Sequence, residues 1–296
     1  MGRFGVGLPQ ASMNFADVSK VWSWQSQPTN AIATQLSADA IRAGERSVPA
    51  PQAERIPEAY EQFSRFGFED TGTLVVWNDL VDLSWKKAQT LFRNLVPLVG
   101  RTYRRFLTSD DGYRTEGQAR ISVTLIPLMF ADGGFTRLDD EIVEVQPLDP
   151  MYLMTDTSSD ESFGPGPMFQ EHELGEQSIT FHRVPVNKYN ENGKFLERVH
   201  EDHDVTVKCS YRKLIAAKRN TPGATWPEGF EQPGKMPWGK EAAKQLGVSV
   251  LRAGRELELQ TAWAETNAAD ERERWWGIEV SFSPELDERM GVTNNK

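Results

Sequence analysis

The chain opens with Met1-Gly-Arg-Phe-Gly-Val-Gly-Leu-Pro-Gln-Ala-Ser-Met-Asn-Phe15. Its three glycines lead into a helix-compatible run in which Leu8, Ser12 and Phe15 recur at helical spacing. Glycines before a helix N-terminus suit an anion, because phosphate oxygens can approach the backbone N–H groups and the helix dipole favours negative charge. The spacing G-x-x-G-x-G differs from the dinucleotide fingerprint and from the Walker motif. The stretch therefore predicts a phosphate loop, with a simple helix-capping turn as the alternative.

The next part of the chain predicts a small sheet followed by helices. Apolar and polar residues alternate over Val18–Trp24 and Ala31–Leu36, and Gly72–Trp77 has the composition of a buried strand. From Trp85 to Leu107 the apolar residues recur at i, i+3, i+4 and i+7, which predicts an amphipathic helix. Pro97 is predicted to kink that helix or split it in two, because proline lacks the backbone N–H group.

Both ends of the chain resemble the gyrase, heat-shock-chaperone, histidine-kinase and MutL (GHKL) ATPase superfamily. The resemblance rests on Gly2–Ser12, on the pair Gly72-Thr73, and on Gly247–Leu257, Arg274–Glu288 and Gly291–Lys296. It is strongest for the MORC-like and bacterial stand-alone ATP-binding members. It implies an α+β protein in which residues 1–107 form the C-terminal half of a Bergerat-type α/β sandwich. Residues 108–296 would then form a transducer domain of the ribosomal-protein-like split βαβ type.

The resemblance also implies roles for individual residues. The amides of Gly5 and Gly7 would hold the β- and γ-phosphates of ATP, and Thr73 would hydrogen-bond toward the adenine. Lys296 would be the catalytic switch lysine that reaches the γ-phosphate. A β-favouring threonine at a strand start and a solvated terminal lysine are the structural alternatives for these two residues. The complete set of ATP-binding residues implied is Gly2, Gly5, Val6, Gly7, Leu8 and Thr73.

Two motifs of the superfamily precede the glycine box, and neither is found before Gly2. One is a helix with a catalytic Glu and a Mg²⁺-binding Asn, and the other is an Asp-x-Gly-x-Gly loop that binds adenine. We therefore expect a chain truncated at both ends. ATP and Mg²⁺ would be cofactors of the intact parent, with slow hydrolysis driving a conformational change or homodimerisation. The chain as given is expected to bind ATP weakly and not to hydrolyse it. The alternatives are a non-catalytic scaffold for a protein client and a DNA-remodelling partner that uses the basic stretch from Lys208 to Arg219.

Composition excludes several other classes. Lys and Arg total 33 against 43 Asp and Glu, which leaves a net charge of −10 and argues against a general polyanion binder. The single cysteine, Cys209, excludes an internal disulfide framework and a four-cysteine zinc site. No apolar run approaches the ~20 residues of a membrane-spanning helix, so we expect no membrane partner and a cytoplasmic location.

Three groups of polar residues are given structural interpretations. His200 and His203 with Cys209 have the chemistry of zinc ligands, but a solvated loop leading into a strand is favoured, so no metal site is predicted. The basic residues from Lys208 to Arg219 could contact DNA, but the solvated face of a strand is favoured. A solvated helix face is likewise predicted for Arg101, Arg104 and Arg105.

Overall fold

The computed structural model describes residues 7–61, 63–64, 67–81, 83–114, 117–131, 134–157, 166–224, 226, 228–229, 232–262 and 270–292. These residues form a mixed α+β protein, as the sequence predicts. The helices are α1 Gly7–Phe15, α2 Ala38–Arg42, α3 Glu58–Glu61, α4 Ala88–Thr102, α5 Arg104–Leu107, α6 Leu214–Ala217 and α7 Pro237–Lys244. The strands are β1 Ala16–Trp24, β2 Ile32–Ser37, β3 Gln52–Ala53, β4 Gly72–Leu80, β5 Thr124–Leu125, β6 Leu128–Ala131, β7 Gly134–Arg137, β8 Val143–Glu144, β9 Phe169–Glu171, β10 Gln177–Tyr189, β11 Phe195–Arg212, β12 Val248–Arg252, β13 Arg255–Gln260 and β14 Trp276–Phe282.

The chain divides into two compact units. Unit 1 comprises residues 1–92 and 125–143, and unit 2 comprises residues 93–124 and 144–296. The sequence-based boundary between residues 107 and 108 differs from this division, which falls before Arg93. The physical reason is the burial of Arg104, whose ion-pair partners Glu256 and Glu279 belong to unit 2.

Unit 1 is built on a four-stranded antiparallel sheet in the order β3-β2-β1-β4. The strands predicted at Val18–Trp24 and Ala31–Leu36 are confirmed as β1 and β2. Because side chains alternate across a strand, Trp22 and Trp24 share one face of β1 and are both buried there. Ile56 closes this core, together with the partly buried residues Tyr60, Phe68, Leu74 and Val76.

The interpretation of Gly72–Trp77 as a buried strand is wrong. The segment is a strand, but among the strands that the structure describes β4 pairs only with β1 and forms an edge of the sheet. Of its residues, Leu74 and Val76 pack against the tryptophan core, whereas Trp77 keeps 45% of its surface exposed. An apolar composition predicted the strand correctly but could not show that only one of its faces is covered.

Gly72 lies directly under the indole of Trp24, its partner across the β1–β4 ladder. A Cβ atom on Gly72 would lie 2.8 Å from Cη2 and 2.9 Å from Cε2 of that ring, so the ring would have to move. We expect Gly72→Ala to lower the free energy of unfolding by about 1–3 kcal/mol, as overpacking does elsewhere. Denaturant unfolding measures this change. Gly134→Ala is the matched control, since its Cβ would meet nothing within 4 Å, and equal effects of the two variants would contradict the packing argument.

Two prolines have different effects on the predicted elements. Of the two effects predicted for Pro97, a split is wrong, because α4 runs through that residue and ends at Thr102, before the non-helical Tyr103, whereas a kink stays a prediction. The sequence also predicts a single strand over Ile121–Leu128, but Pro127 interrupts it, and β5 and β6 lie on either side of this proline. At 15 residues α4 is the longest helix of the described chain, and none of these helices combines the length and apolar composition that crossing a bilayer requires.

Unit 2 is built on a larger sheet in the order β10-β11-β14-β12-β13, with β9 also pairing with β11. All pairs are antiparallel except β12 with β14. The sequence also predicts strands at Ile179–Val186, Val205–Tyr211 and Trp276–Phe282 and a helix at Gly239–Leu246, and the structure confirms all four. The unit has two apolar clusters, one around Phe169, Met236 and Trp238 and the other around Val205, Val250 and Phe282.

Candidate functional site

The predicted nucleotide site falls only partly within the described residues. Gly2, Gly5, Val6 and Lys296 lie outside them. Gly7 is the first residue of α1, so the helix predicted after the glycines begins at the last of them. Leu8 follows in the first turn and keeps 47% of its surface exposed. Thr73 is the second residue of β4 and is exposed.

The direction of α1 is fixed by two hydrogen bonds to the end of β4. The carbonyl of Phe15, the last residue of α1, accepts from the N–H of Val81 at 2.9 Å, just beyond β4. One turn earlier, the Oγ of buried Ser12 accepts from Nε1 of Trp77 at 2.8 Å. From Phe15 back toward its first residue, α1 therefore runs in the same direction as β4 does from Val81 back toward Thr73. The N-terminus of α1 points to the Thr73 end of the sheet.

Thr73 also shares a sheet face with α1. The β1–β4 register pairs Ser19 with Trp77 and Ser23 with Thr73, so alternation puts the side chains of Trp77 and Thr73 on the same face. Trp77 contacts α1 through Ser12, which identifies this as the helix-covered face. The hydroxyl of Thr73 lies 3.3 Å from that of Ser23.

Chemically, this face offers two kinds of group to a ligand. The first N–H groups of α1 have no partner within the helix and carry the positive end of its dipole, so they can bind an anion. The paired hydroxyls of Ser23 and Thr73 can donate and accept hydrogen bonds. The absence of a side chain at Gly72, in contrast, is explained by packing, because the Trp24 ring lies directly over this residue.

The geometry of β11 separates the residues with zinc-ligand chemistry. His200 and His203 both lie in this strand, and their odd spacing puts them on opposite faces. His203 and Cys209 share a face but are six residues apart, about 20 Å along a strand. Among the residues the structure describes, no group of three or more His, Cys, Asp or Glu side chains could hold a metal ion.

Two residues of the basic stretch, Lys208 and Arg212, make side-chain contacts within their own unit. Lys208 forms a 3.1 Å ion pair with Glu176. The guanidinium of Arg212 lies 5.0 Å from the ring centroid of Trp275, and burial lowers the pKa of Arg212. Both residues therefore have structural partners within unit 2.

Unit 2 contains a buried ionic cluster around Arg104. The prediction that Arg104 lies on a solvated helix face is therefore wrong. Arg104 is 0% exposed. Its Nη1 donates to Glu256 Oε2 at 2.9 Å, and its Nη2 donates to Glu279 Oε2 at 2.7 Å and to Ser249 Oγ at 2.7 Å. Its Nε lies 3.8 Å from Asp149 Oδ1.

Two further arginines complete the cluster. Arg101 donates from Nε to Glu256 Oε1 at 2.5 Å, and Arg105 donates to the second oxygen of Glu279. Each of these two glutamates is therefore held between Arg104 and one other guanidinium. We call the six charged residues the ionic cluster: Arg101, Arg104, Arg105, Asp149, Glu256 and Glu279.

Burial and pairing act in opposite directions on the acids of the ionic cluster. Burial opposes ionisation of Glu279, but Arg104 and Arg105 outweigh it and hold the pKa of Glu279 below its usual value. For Asp149 burial dominates and raises the pKa, although Arg104 and the N–H groups of Leu153 and Met151 act against it. Every partner of Arg104 named above belongs to unit 2. The cluster therefore connects α5 to the sheet of that unit and has a structural role.

Comparison with known proteins leaves the geometry as the main guide. Neither the protein-family models nor the curated proteins compared with the chain give a match.

Proposed function

We propose that the chain binds ATP on the α1-covered face of the unit 1 sheet, as a GHKL-type nucleotide-binding protein with a transducer domain in the remainder. The observation that carries the proposal is the position of Thr73 on the same face as α1, at the end to which the helix N-terminus points. The resemblance assigns phosphate binding to the glycine box and adenine recognition to Thr73. The geometry supports that assignment, since both would serve one ligand.

The described residues fit the two ends of a nucleotide. The N–H groups at the start of α1 would donate hydrogen bonds to the phosphate oxygens, and Gly7 adds no side chain between them. The Thr73 hydroxyl would hydrogen-bond toward the base, with Ser23 as its neighbour at 3.3 Å. Mg²⁺ would supply the counter-charge of the triphosphate, and the proposal assigns no residue of this chain to it.

The proposal is tested by removing the Thr73 hydroxyl. Thr73→Val keeps the shape and the β-propensity of the side chain but deletes one hydrogen bond, which contributes about 0.5–1.5 kcal/mol. We therefore expect the affinity for ATP·Mg²⁺, measured by calorimetric titration, to fall by about two- to tenfold.

The matched control is Thr136→Val, an exposed threonine of β7 in the same unit. Its affinity for ATP·Mg²⁺ should equal that of the wild type. Absence of saturable binding to the wild-type chain would overturn the nucleotide proposal and favour the scaffold alternative. Equal loss in both variants would remove Thr73 from the site.

A further inference from the structure

A surface cavity of about 380 Å³ lies on one face of the unit 2 sheet. Tyr211 and Cys209 of β11 line it, together with Trp276 and Ile278 of β14. The register pairs Tyr211 with Trp276 and Cys209 with Ile278, so all four side chains project from the same face. His172 and Glu173, just after β9, form its rim. Its volume lies within the range of small-ligand pockets.

The opposite face of the same strands is closed by packing. Ser210 donates to the carbonyl of Met151 at 2.8 Å, and a Cβ on Gly277 would lie 2.9 Å from the carbonyl oxygen of Pro150. On the cavity side, the Val205–Phe282 end of the ladder belongs to an apolar cluster, whereas Tyr211 keeps 38% of its surface exposed. The cavity is therefore the uncovered end of a β11–β14 face whose other end lies in that apolar cluster.

The side chains around this cavity favour a positive charge. Aromatic rings such as those of Tyr211 and Trp276 present negative faces that attract cations. The Glu173 carboxylate forms no ion pair or hydrogen bond with another described residue. His172 Nδ1 accepts a hydrogen bond from the N–H of Leu174 at 3.3 Å. Lys208, a nearby cation of β11, is paired with Glu176.

We propose that this cavity binds the cationic side chain of an arginine or lysine presented by a partner protein. The alkyl stem would lie against Ile278 and Cys209, the cationic group would lie over the rings of Tyr211 and Trp276, and Glu173 would accept its hydrogen bonds. The net charge of −10 favours approach of a basic segment over long range. The proposal is independent of nucleotide binding in unit 1.

The test uses three capped amino acids as probes: N-acetyl-arginine amide, N-acetyl-lysine amide and N-acetyl-citrulline amide. Citrulline has the shape of arginine without its charge. Calorimetric titration of the full chain should give saturable binding of the arginine or lysine probe that weakens as salt is raised. Citrulline should bind at least about threefold more weakly, and equal binding of citrulline would overturn the proposal.

Cys209 reports where the probe binds, since it is the single cysteine of the chain and lines the cavity. Burial raises the pKa of its thiol, so alkylation by N-ethylmaleimide should be slow enough to follow by mass spectrometry. The cationic probes should slow this alkylation as they saturate, and citrulline at the same concentration should not. Binding without protection of Cys209 would place the cation elsewhere and overturn the assignment.

Two variants test the recognition chemistry, and each should weaken the cationic probes by about two- to fivefold. Glu173→Gln removes the rim charge with little change in shape, and Trp276→Leu removes the aromatic wall. Glu191→Gln is the control for charge, because Glu191 is an exposed residue in the turn between β10 and β11, outside the cavity. Equal weakening of probe binding by Glu191→Gln would show that the effect comes from the overall charge of the protein, and it would contradict a binding site at this cavity.

Discussion

Replacing Arg104 with methionine is expected to lower the free energy of unfolding by about 3–5 kcal/mol. The guanidinium is 0% exposed and is shared by Glu256 and Glu279, whose side chains are 2% and 5% exposed. Methionine fills a similar volume, so the loss would come from the charge rather than from a cavity. Two carboxylates would each lose one of two guanidinium partners, and buried carboxylates cannot recover that interaction from water. Urea unfolding followed by circular dichroism measures the change.

Two further variants separate the charge effect from the loss of a long side chain. Arg93→Met removes an exposed arginine from α4 and should change stability by less than about 0.5 kcal/mol. Adding Glu279→Gln to Arg104→Met should recover part of the lost stability, because one uncompensated charge is removed with it. If Arg104→Met lowers the free energy of unfolding by less than about 1 kcal/mol, or if the double variant recovers none of the lost stability, the ion pairing contributes little to stability.

The second large effect is expected at Gly7, the first residue of α1. Gly7→Val would put a branched side chain beside the N–H groups that the proposal assigns to the phosphates. A hydrogen bond to a charged group contributes about 1.5–3 kcal/mol, so loss of even one should weaken ATP·Mg²⁺ binding by about tenfold or more. Calorimetric titration, run beside wild type at the same ionic strength, measures it.

Gly134→Val is the control for Gly7→Val, because a Cβ at Gly134 meets nothing within 4 Å and its backbone is not in the left-handed region. It should leave ATP affinity unchanged. The thermal unfolding midpoint of Gly7→Val should stay near that of the wild type, since Ser12 and Phe15 hold the helix from its other end. Unchanged ATP affinity in Gly7→Val would refute the phosphate assignment at Gly7 even if Thr73→Val weakens binding.

Local patterns predicted most of the secondary structure. The alternation in Val18–Trp24 and Trp276–Phe282 was sufficient to identify β1 and β14, because a strand with one covered face shows a period of two. The same patterns could not show what covers a face. Trp77 was predicted to be buried and is half exposed, since β1 is the one neighbour of β4 among the described strands.

The ionic cluster could not have been predicted from local patterns. Arg104 lies 152 residues from Glu256 and 175 from Glu279 in the sequence, and nothing near Arg104 distinguishes it from a solvated residue of an amphipathic helix. A weaker signal was present in β14, where Gly277, Glu279 and Ser281 alternate with apolar residues. That pattern identifies a polar face but not the arginines that cover it.

The sequence predicted which residues form the candidate nucleotide site but not how they are arranged in space. Gly7 was selected by the glycine spacing and by resemblance, and Thr73 by resemblance alone, whereas the place of Thr73 on the helix-covered face depends on the β1–β4 register. That register pairs residues about fifty positions apart, such as Ser23 with Thr73. No local propensity specifies it.

The ionic cluster also constrains how this sequence can change over generations. Three guanidiniums and three carboxylates balance one another, so a single replacement leaves an unmatched charge where water cannot reach it. A descendant carrying one such replacement would have little stability to spare until a second, compensating replacement arose. Related chains should therefore keep all six residues or exchange them jointly for apolar ones. Correlated substitution at these six positions in related chains would be the evidence for this constraint.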